Sequence, residues 1–295
     1  MKHLVPCAAA ALLALTAPAA HAERIQLIAP DGIALKAYWM PRPDGGVGPA
    51  VVALHGCSGL FERTGTAFDP RYPDYVARLH RAGYHVLLPD SFGSRRKGSI
   101  CAEPYGKRSV SVETRRGDAI VAVDWLSKHP EVDPRRIVLL GWSNGATTAL
   151  SALNAAGPAY ARNVAAAIVF YPGCSAFLKQ SFRLQAPVLM LLGEKDDWTP
   201  PARCTEFADR LRAAQPELDL DVHLYSDSHH GFDSTQPVRF RPDIPTGVNR
   251  SGVHSGGNAA ARAAALSEID AFLGSRLRPA AHAASPANSR SPNPQ

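Results

Sequence analysis

The chain has 295 residues, of which 45% are hydrophobic and 20% are charged, and its formal net charge is +6 at neutral pH. This length and apolar content suit one large α/β domain. Apart from residues 95–97 and 115–116, the basic residues are scattered, and they do not alternate with aromatic residues as a nucleic-acid-binding surface requires. We therefore expect no nucleic-acid partner.

Residues 1–22 have the pattern of a secretory signal peptide. A basic start precedes an apolar, alanine-rich stretch over residues 4–18, and Ala20-His21-Ala22 forms a small-residue cleavage pattern. The apolar stretch is too short for a membrane anchor, which takes about 20 residues. Cys7 lies too early, and lacks preceding small residues, for a lipid-attachment site. We expect a mature chain from Glu23 that is periplasmic or secreted and not membrane-bound.

The apolar pattern of the rest of the chain predicts alternating strands and helices. Residues 23–30 and 33–40 alternate in polarity on either side of a Pro-Asp-Gly turn, which predicts an antiparallel hairpin. Apolar runs predict strands at 51–54, 85–88, 137–140, 165–171, 187–192 and 218–225. Helical spacing predicts helices at 72–82, 112–128, 146–155, 201–214 and 259–277. Asp133-Pro134 is predicted to be the turn before the strand at 137–140.

This alternation indicates a mostly parallel eight-stranded sheet with helices on both faces and the first hairpin at its antiparallel edge. Residues 279–295 are mainly Pro, Ala, Ser and Asn without apolar periodicity, so we expect a disordered tail. The predicted organisation is a signal peptide over residues 1–22, one domain over 23–278 and a tail over 279–295.

The pentapeptide Gly141-Trp142-Ser143-Asn144-Gly145 lies between a predicted strand and a predicted helix. G-x-S-x-G in this context is typical of the nucleophile elbow of the α/β-hydrolase fold. The turn is so tight that side chains at positions 141 and 145 would clash across it, and the strained backbone lifts the Ser143 hydroxyl clear of the sheet. Ser143 is therefore the candidate nucleophile.

A serine nucleophile needs a histidine base and a carboxylate that orients the base. In α/β-hydrolases these follow in the order serine, acid, histidine, each after a strand. Here an acidic loop containing Asp196 and Asp197 follows the strand at 187–192, and His229-His230-Gly231 follows the strand at 218–225. Taken singly, such residues are more often turn formers or surface residues. Their joint occurrence in this order predicts a triad.

An oxyanion hole needs the backbone N–H that follows the nucleophile and a second N–H from the loop after an earlier strand. The first is that of Asn144. The second lies in His55-Gly56-Cys57-Ser58-Gly59, where we favour Cys57, with Gly56 as the alternative. We interpret His55 as a residue that holds this loop in place.

Several segments together resemble the dienelactone hydrolase family of α/β-hydrolases. They are residues 54–60, 89–93, 141–145, 171–174, 193–200 and 230–232, and the resemblance covers about residues 23–277. It implies that Asp196 is the acid, because Pro200 stands four residues later, and that His230 is the base, because Gly231-Phe232 follows. The prototype enzyme uses a cysteine nucleophile where this chain has Ser143, so dienelactone is not carried over as substrate.

The resemblance also implies further roles. Arg95 lies near the position of an arginine that binds the substrate carboxylate in the prototype, and a guanidinium suits that group. The family's sheet order places Cys57 near Cys101 and Cys174 near Cys204, so we expect these two disulfides in an exported protein. Four free thiols are the alternative.

Trp142 and Trp198 flank the predicted nucleophile and acid, where they either line an acyl pocket or pack under the loops. We expect no metal or organic cofactor, because no His/Cys cluster has ligand spacing. The predicted function is an exported serine hydrolase of an ester or lactone that acts through an acyl-enzyme. A prolyl-oligopeptidase-like peptidase and a non-catalytic binding module are the alternatives.

Overall fold

The structure is a computed structural model that describes residues 22–248 and 250–277. The predicted tail and all but the last residue of the predicted signal peptide lie outside these residues. Strands are numbered β1 (Glu23–Ile28), β2 (Ala34–Met40), β3 (Gly48–Leu54), β4 (His85–Pro89), β5 (Val132–Trp142), β6 (Ala166–Phe170), β7 (Val188–Gly193), β8 (Leu220–Tyr225), β9 (Arg239–Arg241) and β10 (Val253–Ser255). Helices are α1 (Arg71–Arg81), α2 (Val112–Leu126), α3 (Asn144–Leu153), α4 (Pro201–Ala214) and α5 (Ala259–Arg276).

Eight of the strands form one sheet in the order β1-β2-β4-β3-β5-β6-β7-β8. The pairs β1–β2 and β2–β4 are antiparallel, and the pairs from β4 through β8 are parallel. Because parallel strands point the same way, the loops after β3, β5, β6, β7 and β8 meet at one edge of the sheet. That edge is where α/β sheets bind ligands.

Each face of the sheet is covered by its own hydrophobic core. Successive residues of β3 point to opposite faces, so Val52 and Leu54 belong to the core under α2, α3 and α4, whereas Val51 and Ala53 belong to the core under α1 and α5. A strand that is buried on both faces reads as a continuous apolar run, as the sequence of β3 does. The predicted mostly parallel eight-stranded sheet with helices on both faces is confirmed.

Two local expectations differ from the structure. Asp133-Pro134 is not a turn before the elbow strand, because β5 already begins at Val132. From the pair Gly48–Val132 to the pair Ala50–Ile137 the chain advances two residues on β3 and five on β5, so the polar residues between bulge out of the sheet. The second difference is the antiparallel pair β9–β10, which sequence patterns did not predict because each strand has three residues.

Among the described residues, no helix combines the length and the apolar character needed to cross a membrane.

Candidate active site

Ser143 sits in a strained turn between β5 and α3. Its backbone has φ 53° and ψ −114°, which an L-residue rarely adopts. A Cβ added at Gly145 would lie 1.9 Å from the Leu54 carbonyl oxygen, and one at Gly141 would lie 2.5 Å from the Gly145 carbonyl oxygen. Both glycines are therefore sterically required. The turn leaves Ser143 half-buried in the wall of a cleft, where a substrate can reach it.

His230 and Asp196 form a buried pair at the same edge of the sheet. The Nδ1 atom of His230 lies 2.8 Å from Oδ2 of Asp196. Oδ1 of Asp196 accepts the N–H groups of Trp198 at 2.9 Å and Thr199 at 2.8 Å, which fixes the carboxylate plane. With Nδ1 donating to the carboxylate, Nε2 of His230 keeps the lone pair that a general base needs. Ser143 and His230 line the same cleft.

The neighbours of the acid and the base have different partners. Asp197 accepts the backbone N–H of His254 at 2.8 Å, and its Oδ2 lies 2.7 Å from Nδ1 of His254. Nδ1 of His229 lies 2.9 Å from the Lys195 carbonyl oxygen. The structure therefore brings Asp196 and His230 together and turns Asp197 and His229 outward, as expected for side chains that alternate along extended chain.

The two expected oxyanion-hole donors flank Ser143. Asn144 is the first residue of α3, so its N–H has no intrahelical acceptor. Cys57 lines the cleft beside Ser143. The N–H of Gly56 instead donates to the Tyr72 hydroxyl at 3.2 Å, which favours Cys57 over Gly56 as the second donor.

A buried cation lies beneath the elbow and was not predicted from the sequence. Arg115, on α2, is fully buried, and its Nη1 donates to Oδ1 of Asn144. Its guanidinium stacks 5.0 Å from the ring centre of Phe92. Burial lowers the pKa of Arg115 to about 10, so it remains charged at neutral pH. The sequence does contain a signal for this burial, because Arg115 lies four residues before Ala119 and therefore on the same, buried face of α2.

His55 is also buried in this region, as the sequence-based interpretation of a loop-holding residue requires. Its Nδ1 lies 2.8 Å from the Gly56 carbonyl oxygen, and its ring meets Phe92 edge to face. Burial, and then the charge of Arg115, holds the pKa of His55 well below its usual range, so the ring is neutral.

The cleft beside Ser143 has a volume of about 390 Å³ and a cationic lining. Arg71, Arg239 and Arg241 line it, against one carboxylate, that of Asp69. Nε of Arg71 lies 3.3 Å from Oδ2 of the buried Asp233. The same carboxylate accepts hydrogen bonds from three other buried side chains, those of Tyr75, Trp142 and Tyr171. Arg71 is thus held in place from behind.

Arg95 is not part of the cleft, and the role expected for it is wrong. Its guanidinium makes two hydrogen bonds to the buried Asp118, at 2.8 and 2.9 Å, and a third to Asp31 at 2.9 Å. These contacts connect the loop after β4 to α2 and to the first hairpin. They leave the guanidinium without a pair of free N–H groups for a substrate carboxylate. Three other arginines line the cleft, and two of them, Arg239 and Arg241, lie on the unpredicted β9.

The two tryptophans also separate. Trp142 is fully buried, and its Nε1 donates to Asp233 at 3.0 Å, so it packs under the elbow and cannot contact a substrate. Trp198 lines the cleft, with its ring centre 4.5 Å from that of His230. Of the pair, Trp198 alone remains a candidate substrate contact.

Both expected disulfides are present in the structure. Cys57–Cys101 joins the loops after the neighbouring strands β3 and β4, with 4.9 Å between the Cα atoms. Cys174–Cys204 joins the loop after β6 to α4, which follows the neighbouring strand β7, with 5.1 Å between the Cα atoms. The first bond anchors the loop that carries the expected oxyanion donor.

The sheet order and the strained elbow define the class of protein, an α/β-hydrolase. Within this class the chain belongs to the dienelactone hydrolase family, whose sequence model matches residues 36–277. The family resemblance seen in the motifs is confirmed.

Individual relatives are distant. An uncharacterized protein of Mycobacterium tuberculosis (strain H37Rv) is 29% identical over 203 residues, which are 63% of this chain and 65% of the relative. A probable 2-oxo-3-(5-oxofuran-2-ylidene)propanoate lactonase of Bradyrhizobium is 25% identical over 210 residues, 66% of this chain and 77% of the relative. The dienelactone hydrolase-like promiscuous phosphotriesterase from metagenomic libraries has a TM-score of 0.64 at 18% identity, covering 87% of this chain and 98% of that chain. The structural likeness shows the fold.

Proposed function

We propose that the protein is a serine hydrolase that cleaves a carboxylic ester or lactone through an acyl-enzyme. The observation that carries this proposal is the position of Ser143, at a strained elbow whose cleft it shares with the buried His230–Asp196 pair. A binding module needs neither the backbone strain nor a buried acid–base pair, and such strain is typical of active sites.

In this proposal Ser143 Oγ attacks the substrate carbonyl carbon while Nε2 of His230 takes the hydroxyl proton. Asp196 orients the imidazole and stabilises its charged form. The N–H groups of Asn144 and Cys57 donate to the oxyanion of the tetrahedral intermediate. His230 then protonates the leaving alcohol, and water, activated by His230, releases the acid and restores Ser143.

The lining of the cleft favours a substrate that carries an anionic group near the scissile bond. Arg241 already makes two hydrogen bonds to Asp243, at 3.0 and 2.9 Å, so Arg71 and Arg239 are the arginines placed to bind a carboxylate. Arginine suits this group because its planar fork can donate two hydrogen bonds. The name of the Bradyrhizobium relative describes such a lactone, a propanoate. We therefore expect carboxylate-bearing lactones and esters to be better substrates than neutral ones of the same size.

We further propose that the protein is exported, to the periplasm or the medium. The signal-like pattern of residues 1–22 and the two disulfides, which persist in oxidising compartments, support this location.

A peptidase built on the same triad is the second candidate function. The relative turnover of matched ester and amide substrates distinguishes an esterase from a peptidase.

The test of the proposed chemistry is labelling with a fluorophosphonate probe together with hydrolysis of short acyl esters. Ser143→Ala should abolish labelling and lower turnover by about 10⁶-fold, because no other group replaces the nucleophile. Its melting temperature should stay close to that of the wild type. Ser234→Ala, which changes a second serine of the same cleft, is the matched control and should keep both labelling and turnover. Turnover above a few per cent in Ser143→Ala would reject Ser143 as the nucleophile.

A further inference from the structure

We propose that Asp197, His229 and His254 form a binding site for one divalent transition-metal ion of the zinc type, beside the catalytic cleft. Each side chain offers one ligand atom, and these atoms all lie within 4.8 Å of one another. The proposal does not depend on the serine chemistry, because none of the three residues belongs to the triad.

The chain path explains why these three side chains meet. Asp197 follows Asp196, and His229 precedes His230. Because successive side chains of extended chain point to opposite sides, the path that turns the acid and the base inward turns their neighbours outward. His254 reaches the same place from β10, whose Ser255 forms a bridge with His230.

Hydrogen bonds to the backbone orient His229 and Asp197 as metal ligands. The hydrogen bond between His229 Nδ1 and the Lys195 carbonyl oxygen leaves Nε2 with its lone pair, the arrangement common to metal-binding histidines. The backbone N–H of His254 holds Oδ1 of Asp197, which orients the carboxylate. The rings of His229 and His254 lie 5.2 Å apart, centre to centre.

The ligand set selects the class of ion. Two imidazoles and one carboxylate suit Zn²⁺ and its neighbours, whereas Mg²⁺ and Ca²⁺ prefer oxygen ligands alone. Bonds of about 2.1 Å in tetrahedral geometry place ligand atoms about 3.4 Å apart. The Nδ1–Oδ2 pair of His254 and Asp197, now at 2.7 Å, has to open by about 0.7 Å and lose the proton of its hydrogen bond when the ion binds.

Solvent can reach the site and complete the coordination. The side chains of His254 and Asp197 are 43% and 29% exposed, so an ion can enter without unfolding the chain. A bound ion would join the loop after β7, the loop after β8 and the β9–β10 pair. These segments carry the proposed acid, the proposed base and two of the cleft arginines, so the ion should stabilise this side of the cleft.

The experiment is isothermal titration of the purified protein, without a polyhistidine tag, with ZnCl₂. We expect one Zn²⁺ per chain and a rise in melting temperature on saturation. His229→Ala and His254→Ala should each weaken binding by at least about tenfold, and Asp197→Asn should weaken it as well. His223→Ala is the matched control, since His223 is another partly exposed histidine near a carboxylate, with Nδ1 3.8 Å from Glu268, and should bind as the wild type does.

Circular dichroism and the metal-free melting temperature check that the variants are folded. If the wild type binds neither Zn²⁺ nor Ni²⁺, the proposal is wrong. It is equally wrong if folded His229→Ala and His254→Ala proteins keep wild-type stoichiometry and affinity.

Discussion

Asp196 and Asp197, in the loop after β7, have different environments, and this difference decides the role that we expect for each. Asp196 is buried against His230 and accepts two backbone N–H groups, whereas Asp197 is partly exposed and contacts His254. A carboxylate that orients the base has to be the one in contact with it. The local sequence alone does not separate the two residues.

We therefore predict that Asp196→Asn lowers turnover by about 10⁴-fold, because an amide cannot hold the imidazole in the reactive tautomer. Asp197→Asn should have a far smaller effect. Steady-state ester hydrolysis in buffer with EDTA, which removes any contribution from a bound metal, measures both. The opposite ranking would reject Asp196 as the acid.

Arg115 is a buried charge that we expect to position Asn144. Its guanidinium contacts the side chain of Asn144, whose N–H is a proposed oxyanion donor, while Nε and Nη2 have no hydrogen-bond partner within the described part of the chain. Burying such a charge is costly, and an apolar replacement of similar volume is often neutral or stabilising. The nearby Asp118 keeps its ion pair with Arg95 in any case.

Arg115→Met should accordingly lower kcat by about 10- to 10²-fold with little change in KM, because the proposed donor shifts while the cleft remains. The melting temperature should stay the same or rise. Arg115→Lys should restore part of kcat, which a merely structural role would not predict. Arg116→Met, at the next position of α2, is the control and should leave kcat unchanged. An unchanged kcat in Arg115→Met would remove Arg115 from the site.

At the scale of elements, the two disulfides connect neighbouring parts of the sheet edge but differ in their distance from the chemistry. Cys57 lines the cleft, whereas Cys174, in the loop after β6, and Cys204, on α4, do not. The bonds close segments of 44 and 30 residues, so each is expected to stabilise the fold by about 3–4 kcal/mol through the unfolded chain.

Replacing either pair by alanine should lower the free energy of unfolding by a similar amount. Activity should distinguish them, because the Cys57–Cys101 bond anchors the loop that carries a proposed oxyanion donor. We predict that Cys57→Ala/Cys101→Ala loses turnover and that Cys174→Ala/Cys204→Ala largely keeps it. Denaturant unfolding and ester hydrolysis measure the two effects. Four free thiols in the unfolded, exported wild type would contradict both bonds.

At the scale of the whole molecule, burial keeps His55 and His85 neutral. Burial holds the pKa of His55 well below its usual range and also lowers the pKa of His85. A histidine whose pKa is lower in the folded protein stays unprotonated there, while in the unfolded chain it takes up a proton below about pH 6.5. The associated stability is present above that pH and is lost as the pH falls through it.

Unfolding in urea at pH 7.5, 6.5 and 5.5 should show a falling free energy of unfolding below about pH 6.5. His55, whose pKa lies well below its usual range, adds a slope that approaches about 1.4 kcal/mol per pH unit, and His85 adds to it in the same direction. His55→Gln should lower this slope by up to about 1.4 kcal/mol per pH unit, the contribution of one proton, and should lower the stability at pH 7.5. An identical slope in the variant would show that His55 binds protons equally in the folded and the unfolded protein, which would contradict the lowered pKa.

Local sequence was enough for the eight strands of the main sheet, for the five helices and for Ser143 as the candidate nucleophile. The choice of Asp196 and His230 as the expected acid and base came from the family resemblance. The apolar run before Ser143 and the glycines at 141 and 145 predict a strand and an elbow from the motif alone. The closest contact of Gly141 lies within the turn, whereas Gly145 is required by the backbone of Leu54 on β3. The bounds of the helices follow to within about two residues, since amphipathic periodicity and caps are local. The start of β5 does not, because the bulge after Val132 depends on its pairing with β3. The pairing of cysteines required the sheet order, which came from the family resemblance.

What the tertiary structure alone decided are the contacts between residues far apart in the chain. Arg95 and Arg71 both lie near the edge of the sheet. Asp118 holds Arg95 away from the cleft, whereas Asp233 holds Arg71 in the cleft wall. Trp142 is buried and Trp198 lines the cleft because of where their loops pack. The meeting of Asp197, His229 and His254 has the same origin. Side-chain partners of this kind depend on how loops from different strands meet, which no local pattern records.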